Sequence, residues 1–267
     1  MSLPRTRGAD ERLLLAHALG VPLNRLALAD SATPDQLRAY ESLLARRTDG
    51  VPVQHLTGEA AFRTVTLAVG PGVFIPRPET EVMVGWALEH CRPGDRVVEL
   101  CAGSGAISLA LATELPGLDI HAVELSEEAV AYAARNLAGS GVDLRQGDMA
   151  DAFRDLDGTV DLVIANPPYV PLTAWDGVPA EVRDFDPHLA LFSGDDGLDA
   201  MRVLVGVADR LLRPGGVLAA EHAEVQASAV VDLFVGAGFA DVRDHTDLTD
   251  RPRFATGRKT ARGRMTP

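Results

Sequence analysis

From residue 9 to 48 the apolar positions recur at helical spacing. Leu13, Leu14, Ala18 and Leu19 make one stripe; Leu37, Tyr40, Leu43 and Leu44 make a second behind a helix start signal at Thr33-Pro34. This predicts a small helical unit over 1–52. From 53 to 75 the pattern becomes extended: Val65, Leu67 and Val69 alternate ahead of Gly70-Pro71-Gly72, so a β-hairpin linker is expected there.

After Pro76 short apolar runs alternate with helical ones. Arg96 to Leu100, Ile120 to Glu124, Val160 to Ala165 and Val217 to Glu221 read as strands; 79–90, 105–115, 126–138 and 197–212 read as helices. That rhythm predicts an α/β fold, a doubly wound parallel sheet whose ligands bind beyond the carboxyl ends of the strands. A break at Gly236 to Phe239 precedes a closing antiparallel hairpin over 239–246 and 253–258, giving a main domain of 76–258. The segment after Asp250 carries Arg251, Arg253, Arg258, Lys259, Arg262 and Arg264 with no acid, and 259–267 is expected to be a basic, disordered tail rather than a nucleic-acid arm.

The chain has 267 residues, 46% hydrophobic and 24% charged, ordinary values for a globular protein. Its formal charge of −13 argues against a sequence-independent grip on nucleic acid, which needs clustered Lys and Arg. Asp10 and Glu11 interrupt the start before any apolar leader forms, and no apolar run approaches the ~18 residues of a membrane span, so a soluble cytoplasmic protein without membrane contact is expected. Cys91 and Cys101 are the only cysteines, too few for a disulfide framework or a four-ligand zinc site.

Three consecutive strand ends carry candidate chemistry. Glu99-Leu-Cys-Ala-Gly-Ser-Gly105 runs from a strand into a helix, where Cys101, Ala102, Gly103, Ser104 and Gly105 can bring backbone N–H groups close to a ligand. It lacks the three-glycine dinucleotide fingerprint. Glu124, about 20 residues on, could accept from two ribose hydroxyls, and Asp148-Met149 could meet the edge and face of an adenine. Either acid could instead be a helix cap. At the fourth strand end, Asn166-Pro167-Pro168-Tyr169, adjacent prolines remove two backbone donors and stop the strand, holding Asn166 in a stiff turn.

This tetrapeptide on this fold resembles the Rossmann-like, S-adenosylmethionine-dependent methyltransferases that modify a planar nitrogen. Val53-Gln-His-Leu-Thr-Gly58, Phe74-Ile-Pro-Arg-Pro-Glu-Thr-Glu81, Arg183-Asp-Phe-Asp-Pro187 with Ala190-Leu191, Gly194-Asp-Asp-Gly197, Leu212-Arg-Pro-Gly-Gly216 and Glu221-His222 with Gln226 narrow it further. In that order, over about residues 9–258, they look like the bacterial peptide chain release factor N5-glutamine methyltransferase family. Two positions depart from the family pattern: Cys101-Ala102-Gly103 stands where Gly-Thr-Gly is common, and Ala223 where a glycine follows Glu-His.

The resemblance implies that S-adenosylmethionine, leaving as S-adenosylhomocysteine, binds along Cys101–Gly105, Glu124, Asp148, Met149 and Asn166. It also implies that the Asn166 side chain and the Pro167 carbonyl accept the target N–H groups while the Tyr169 ring holds the amide plane, with Pro168 counted in the substrate-binding set. No metal is required. His188 and His222 are set aside as general bases, since the proton can leave to water. Arg77 and Glu79 could shape the lip of the site or simply pair at the domain junction. The expected substrate is a glutamine of a release factor recognised by the N-terminal unit of a monomeric enzyme. A ribosomal-protein glutamine and the N6 amine of adenine in nucleic acid are the alternatives.

Overall fold

The computed structural model describes residues 1–261. Helices α1 (Ala9–Leu19) and α2 (Pro34–Thr48) form the N-terminal unit, joined by a 3-10 turn at Leu23–Leu28. The start signal before α2 is a full capping box: Thr33 Oγ1 accepts from Gln36 N–H, and Gln36 Oε1 accepts from Thr33 N–H. The stretch expected to be extended from 53 begins instead with a short helix, α3 (Val53–Thr57). Val53 and Leu56 bury against Leu14, Leu15 and Tyr40, so the N-terminal core captures this turn of chain and makes it helical.

The hairpin that follows is β1 (Glu59–Phe62) and β2 (Val65–Ala68). Its turn residue Arg63 holds φ at 49° and anchors the hairpin by a fork of bonds to Glu114, at 2.8 and 2.7 Å.

The main domain then runs α4 (Thr80–His90), β3 (Arg96–Leu100), α5 (Ala106–Glu114), β4 (Asp119–Glu124), α6 (Glu127–Asn136), β5 (Asp143–Gln146) and β6 (Val160–Ala165). Two short helices come next, α7 (Ala180–Phe185) and α8 (His188–Leu191). They precede α9 (Asp199–Leu211), β7 (Leu212–Glu221), α10 (Ala227–Gly236), β8 (Phe239–Thr246) and β9 (Pro252–Lys259). The sheet order is β5-β4-β3-β6-β7-β9-β8, parallel as far as β7 and antiparallel in the closing pair. One apolar layer packs α9 and α10 on the sheet; the other packs α4, α5 and the hairpin. The strand order reverses between β3 and β6, which opens a crevice at their carboxyl ends.

Lys259, expected at the head of a disordered tail, instead ends β9, and its ammonium donates to the carbonyls of Asp209 and Leu212. Thr260 Oγ1 donates to the Gly238 carbonyl at 3.2 Å, and residues 262–267 of that tail, Arg262 and Arg264 among them, lie outside the described residues. Among the described residues no helix is long and apolar enough to cross a membrane.

Candidate active site

A cavity of about 850 Å³ occupies the crevice. Four successive strand ends wall it: Cys101–Ser104 after β3, Glu124–Ser126 after β4, Gly147–Ala150 after β5, and Asn166, Pro168 and Tyr169 after β6. Segments from Ala174 to Ser193, together with Phe74 and Arg77, cover it. Thus ten of the sequence-predicted residues share one wall; Gly105 and Pro167 do not line it.

Gly105 serves packing. At φ 79° it opens α5, and a Cβ there would sit 3.0 Å from the Leu137 side chain. Cys101 is the costlier residue, a non-glycine at φ 59°. Its Sγ lies 3.7 Å from Met149 Sδ, and burial, reinforced by the carboxylates of Glu124, Glu99 and Asp148, pushes the thiol pKa up. A small unbranched side chain tolerates this backbone. Cys101→Val should therefore cost about 2 kcal/mol, a melting-temperature drop of several degrees, whereas Cys101→Gly should stay within about 1 kcal/mol of the parent.

Glu124 clamps the loop. Its Oε2 accepts Gly103 N–H at 2.7 Å and its Oε1 accepts Ser126 N–H at 2.8 Å. The helix cap itself is Ser126, whose hydroxyl accepts from Ala129 N–H at 3.3 Å. Asp148 turns one oxygen onto Ala150 N–H at 2.9 Å. Asn136, at the end of α6, donates to Ser104 O at 2.9 Å and pairs with both backbone groups of Ala68, tying the loop to the hairpin.

Behind the loop, Glu99 is buried beneath Ser108, whose backbone N–H donates at 2.9 Å and whose hydroxyl also donates. Burial dominates and raises the Glu99 carboxyl to about 8. A carboxyl raised above its unfolded value of 4.5 contributes most below that value, and the contribution is lost as pH rises through about 8. Glu99→Gln cannot ionise. Urea titrations from pH 6 to 9 should show its stability flatter with pH than the parent's by on the order of 1–3 kcal/mol.

At the β6 end, Asn166 Nδ2 faces Thr80 Oγ1 at 3.2 Å, Thr80 Oγ1 donates to Glu221 Oε2 at 2.7 Å, and Tyr169 O–H donates to Glu221 Oε1 at 3.3 Å. Burial raises Glu221 to about 7 and pushes the Tyr169 phenol up. Gln226 Nε2 donates to the carbonyls of Tyr169 and Asp196, at 2.9 and 3.1 Å. Gly197 lies against the same junction at φ 77°; a Cβ there would come within 2.3 Å of Tyr169 O, so the close approach requires glycine.

Arg77 pairs with Asp186 rather than with Glu79, and Asp186 also accepts Ile75 N–H at 3.3 Å. The two prominent motifs around residues 74–81 and 183–187 thus meet over the cavity. His222 is fully buried between Asp244, 2.9 Å from Nε2, and the Ala223 carbonyl; His188 packs edge-on to Trp175. Neither imidazole lines the cavity. Sequence reasoning missed Thr80, Glu99 and Glu221 as site residues. For the two acids a signal existed, a lone carboxylate within or ending an apolar strand.

Family models match in two places: the Methyltransferase small domain over residues 79–176 and the PrmC N-terminal domain over 5–58. The release factor glutamine methyltransferase of Streptomyces coelicolor is 54% identical over 261 residues, covering 96% of this chain and 91% of that protein. Its counterpart in Mycolicibacterium smegmatis is 47% identical, covering 95% and 91%. A 4-amino-L-phenylalanine/4-methylamino-L-phenylalanine methyltransferase of Streptomyces pristinaespiralis is 40% identical, covering 86% and 80%. Among solved structures, a methyltransferase from Pyrococcus furiosus shares the fold at a TM-score of 0.55 and 18% identity, covering 83% of this chain and all of that one. With the signature segments gathered around one cavity and identity of this level running through both the helical unit and the sheet, the chain belongs to the release factor glutamine methyltransferase family.

Proposed function

We propose that this protein transfers a methyl group from S-adenosylmethionine to the side-chain amide nitrogen, N5, of a glutamine in a peptide chain release factor. The observation that carries this reading is the whole-chain similarity to release factor enzymes, which includes the N-terminal helical unit. A single glutamine side chain offers few discriminating contacts, so specificity for a protein must come from surface remote from the chemistry, and residues 1–52 are suited to supply it.

The residues fit the cofactor. Two carboxylates, Glu124 and Asp148, stand at adjacent strand ends beside Met149, and the cavity has room for a nucleoside joined to an amino acid. Glu124 would hold the ribose hydroxyls, Asp148 and Met149 the adenine, and Cys101–Ser104 the amino-acid portion with Asn166 nearby, Gly105 serving only to open α5 behind that loop. Bound S-adenosylmethionine supplies an electrophilic methyl group on a sulfonium.

The protein's task is to make an amide nitrogen, whose lone pair is delocalised into its carbonyl, behave as a nucleophile. Asn166 Oδ1, on the cavity wall, would accept one N–H and the carbonyl of Pro167, a buried residue that does not itself line the cavity, would accept the other at its edge, favouring a pyramidal nitrogen with its lone pair directed into the cavity. Pro168 and the Tyr169 ring would hold the amide plane. The proton, acidic once the methyl is attached, leaves to water. Such an enzyme acts in the cytoplasm and needs no second copy of itself.

The test is a panel assay with labelled cofactor against release factors, a ribosomal protein, adenine-containing DNA and free 4-aminophenylalanine, the last because of the 40% identical relative. Label on a release factor glutamine is expected. Label confined to DNA would overturn the assignment, as would label confined to the free aryl amine or the ribosomal protein; with a charge of −13, DNA is the least favoured.

A further inference from the structure

Glu221 is about 1% exposed, at the end of a strand whose neighbours are apolar. A carboxylate so placed costs stability unless its bonds accomplish something, since an apolar residue of similar size would pack there more cheaply. Its bonds lead directly to the site. Oε2 accepts the Thr80 hydroxyl at 2.7 Å, which commits the one hydrogen that hydroxyl has. Thr80 Oγ1 can then offer only lone pairs to Asn166, and the Nδ2 end of that amide faces it at 3.2 Å. With Nδ2 directed at Thr80, Oδ1 is the end left for the cavity.

We propose that Glu221 and Thr80 are positioning residues that set the polarity of the Asn166 amide, keeping Oδ1 toward the substrate as an acceptor. The proposal rests on the reading above that a substrate N–H is received there. A reversed Asn166 would present N–H₂ to N–H₂, donor against donor, and the nucleophile would lose its orientation. The other oxygen of Glu221 takes the Tyr169 hydroxyl at 3.3 Å, so one buried carboxylate anchors both side chains assigned to the target amide.

Thr80→Val keeps the shape and removes the hydroxyl; Thr80→Ser keeps the hydroxyl. With a release factor as substrate, at mildly alkaline pH where Glu221 is ionised, Thr80→Val should lower kcat by about 10- to 100-fold, the scale on which outer contacts that orient a reacting group act. The cofactor KM should move less than about twofold, and Thr80→Ser should recover kcat to within about threefold. Added to Asn166→Ala, Thr80→Val should cost nothing more, because it acts only through Asn166. Should the valine variant not fold in a melting scan, Thr80→Ala carries the same expectation.

A kcat within about twofold of the parent in the hydroxyl-less variant would overturn the proposal. So would a serine variant as impaired as the valine one, or losses that multiply with Asn166→Ala. Normal turnover by Asn166→Ala alone would instead sink the underlying catalytic reading, so the two failures are distinguishable.

Discussion

Asn166→Ala should lower the rate of methyl transfer by on the order of 10²–10³ while leaving the fold in place, the usual scale for deleting one oriented polar contact from a transition state. The fold survives because Pro167 and Pro168 still end β6, and the bond lost to Thr80 is a single one worth about 1 kcal/mol. The competing possibility is that Asn166 is a turn residue whose amide caps local backbone, as asparagines near prolines often do. Its amide instead reaches across to Thr80 on α4, 86 positions away in sequence. A local cap predicts a lowered melting temperature with near-normal transfer in the surviving enzyme. Single-turnover kinetics and a melting curve on this one variant separate the two, and normal single-turnover transfer would sink the mechanism.

Glu124→Ala should weaken S-adenosylmethionine binding by about 100-fold, through two losses that act together. The ribose hydroxyls lose a charged acceptor, worth on the order of 1.5–3 kcal/mol per strong bond. The glycine loop also loses the clamp at Gly103, so part of the binding energy is spent ordering it. Turnover at saturating cofactor should change much less than affinity, because Glu124 ends β4, separated by β3 from the β6 end that carries Asn166. Glu124→Gln, which keeps one acceptor oxygen, should fall between the two. Titration calorimetry on the folded variants reads this directly, and unchanged affinity in the alanine variant would mean that Glu124 only braces the loop between Gly103 and Ser126.

Much of this protein is determined by local sequence. Apolar residues at helical spacing in 9–48, and apolar runs such as Val160 to Ala165, specify element type through which positions must leave water, and Thr33 with Gln36 closes a cap within four residues. The strand-end acids and the Asn-Pro-Pro-Tyr turn were legible for the same reason: in a parallel sheet the carboxyl end of each strand opens on one edge, so order along the chain becomes proximity in space.

Contacts between distant segments lie beyond that kind of reading. Residues 53–57 form a run too short for periodicity to distinguish strand from helix, and burial of Val53 and Leu56 against α1 and α2 decides it. Arg77 meets Asp186 at a separation of 109 residues, and Thr80 meets Glu221 at 141. Residue type proposes such partners only as acids and donors in general. The sheet register and the packing of α4 against it bring these particular atoms within hydrogen-bond reach, and a hydrogen bond depends on tenths of an ångström that only the assembled fold sets.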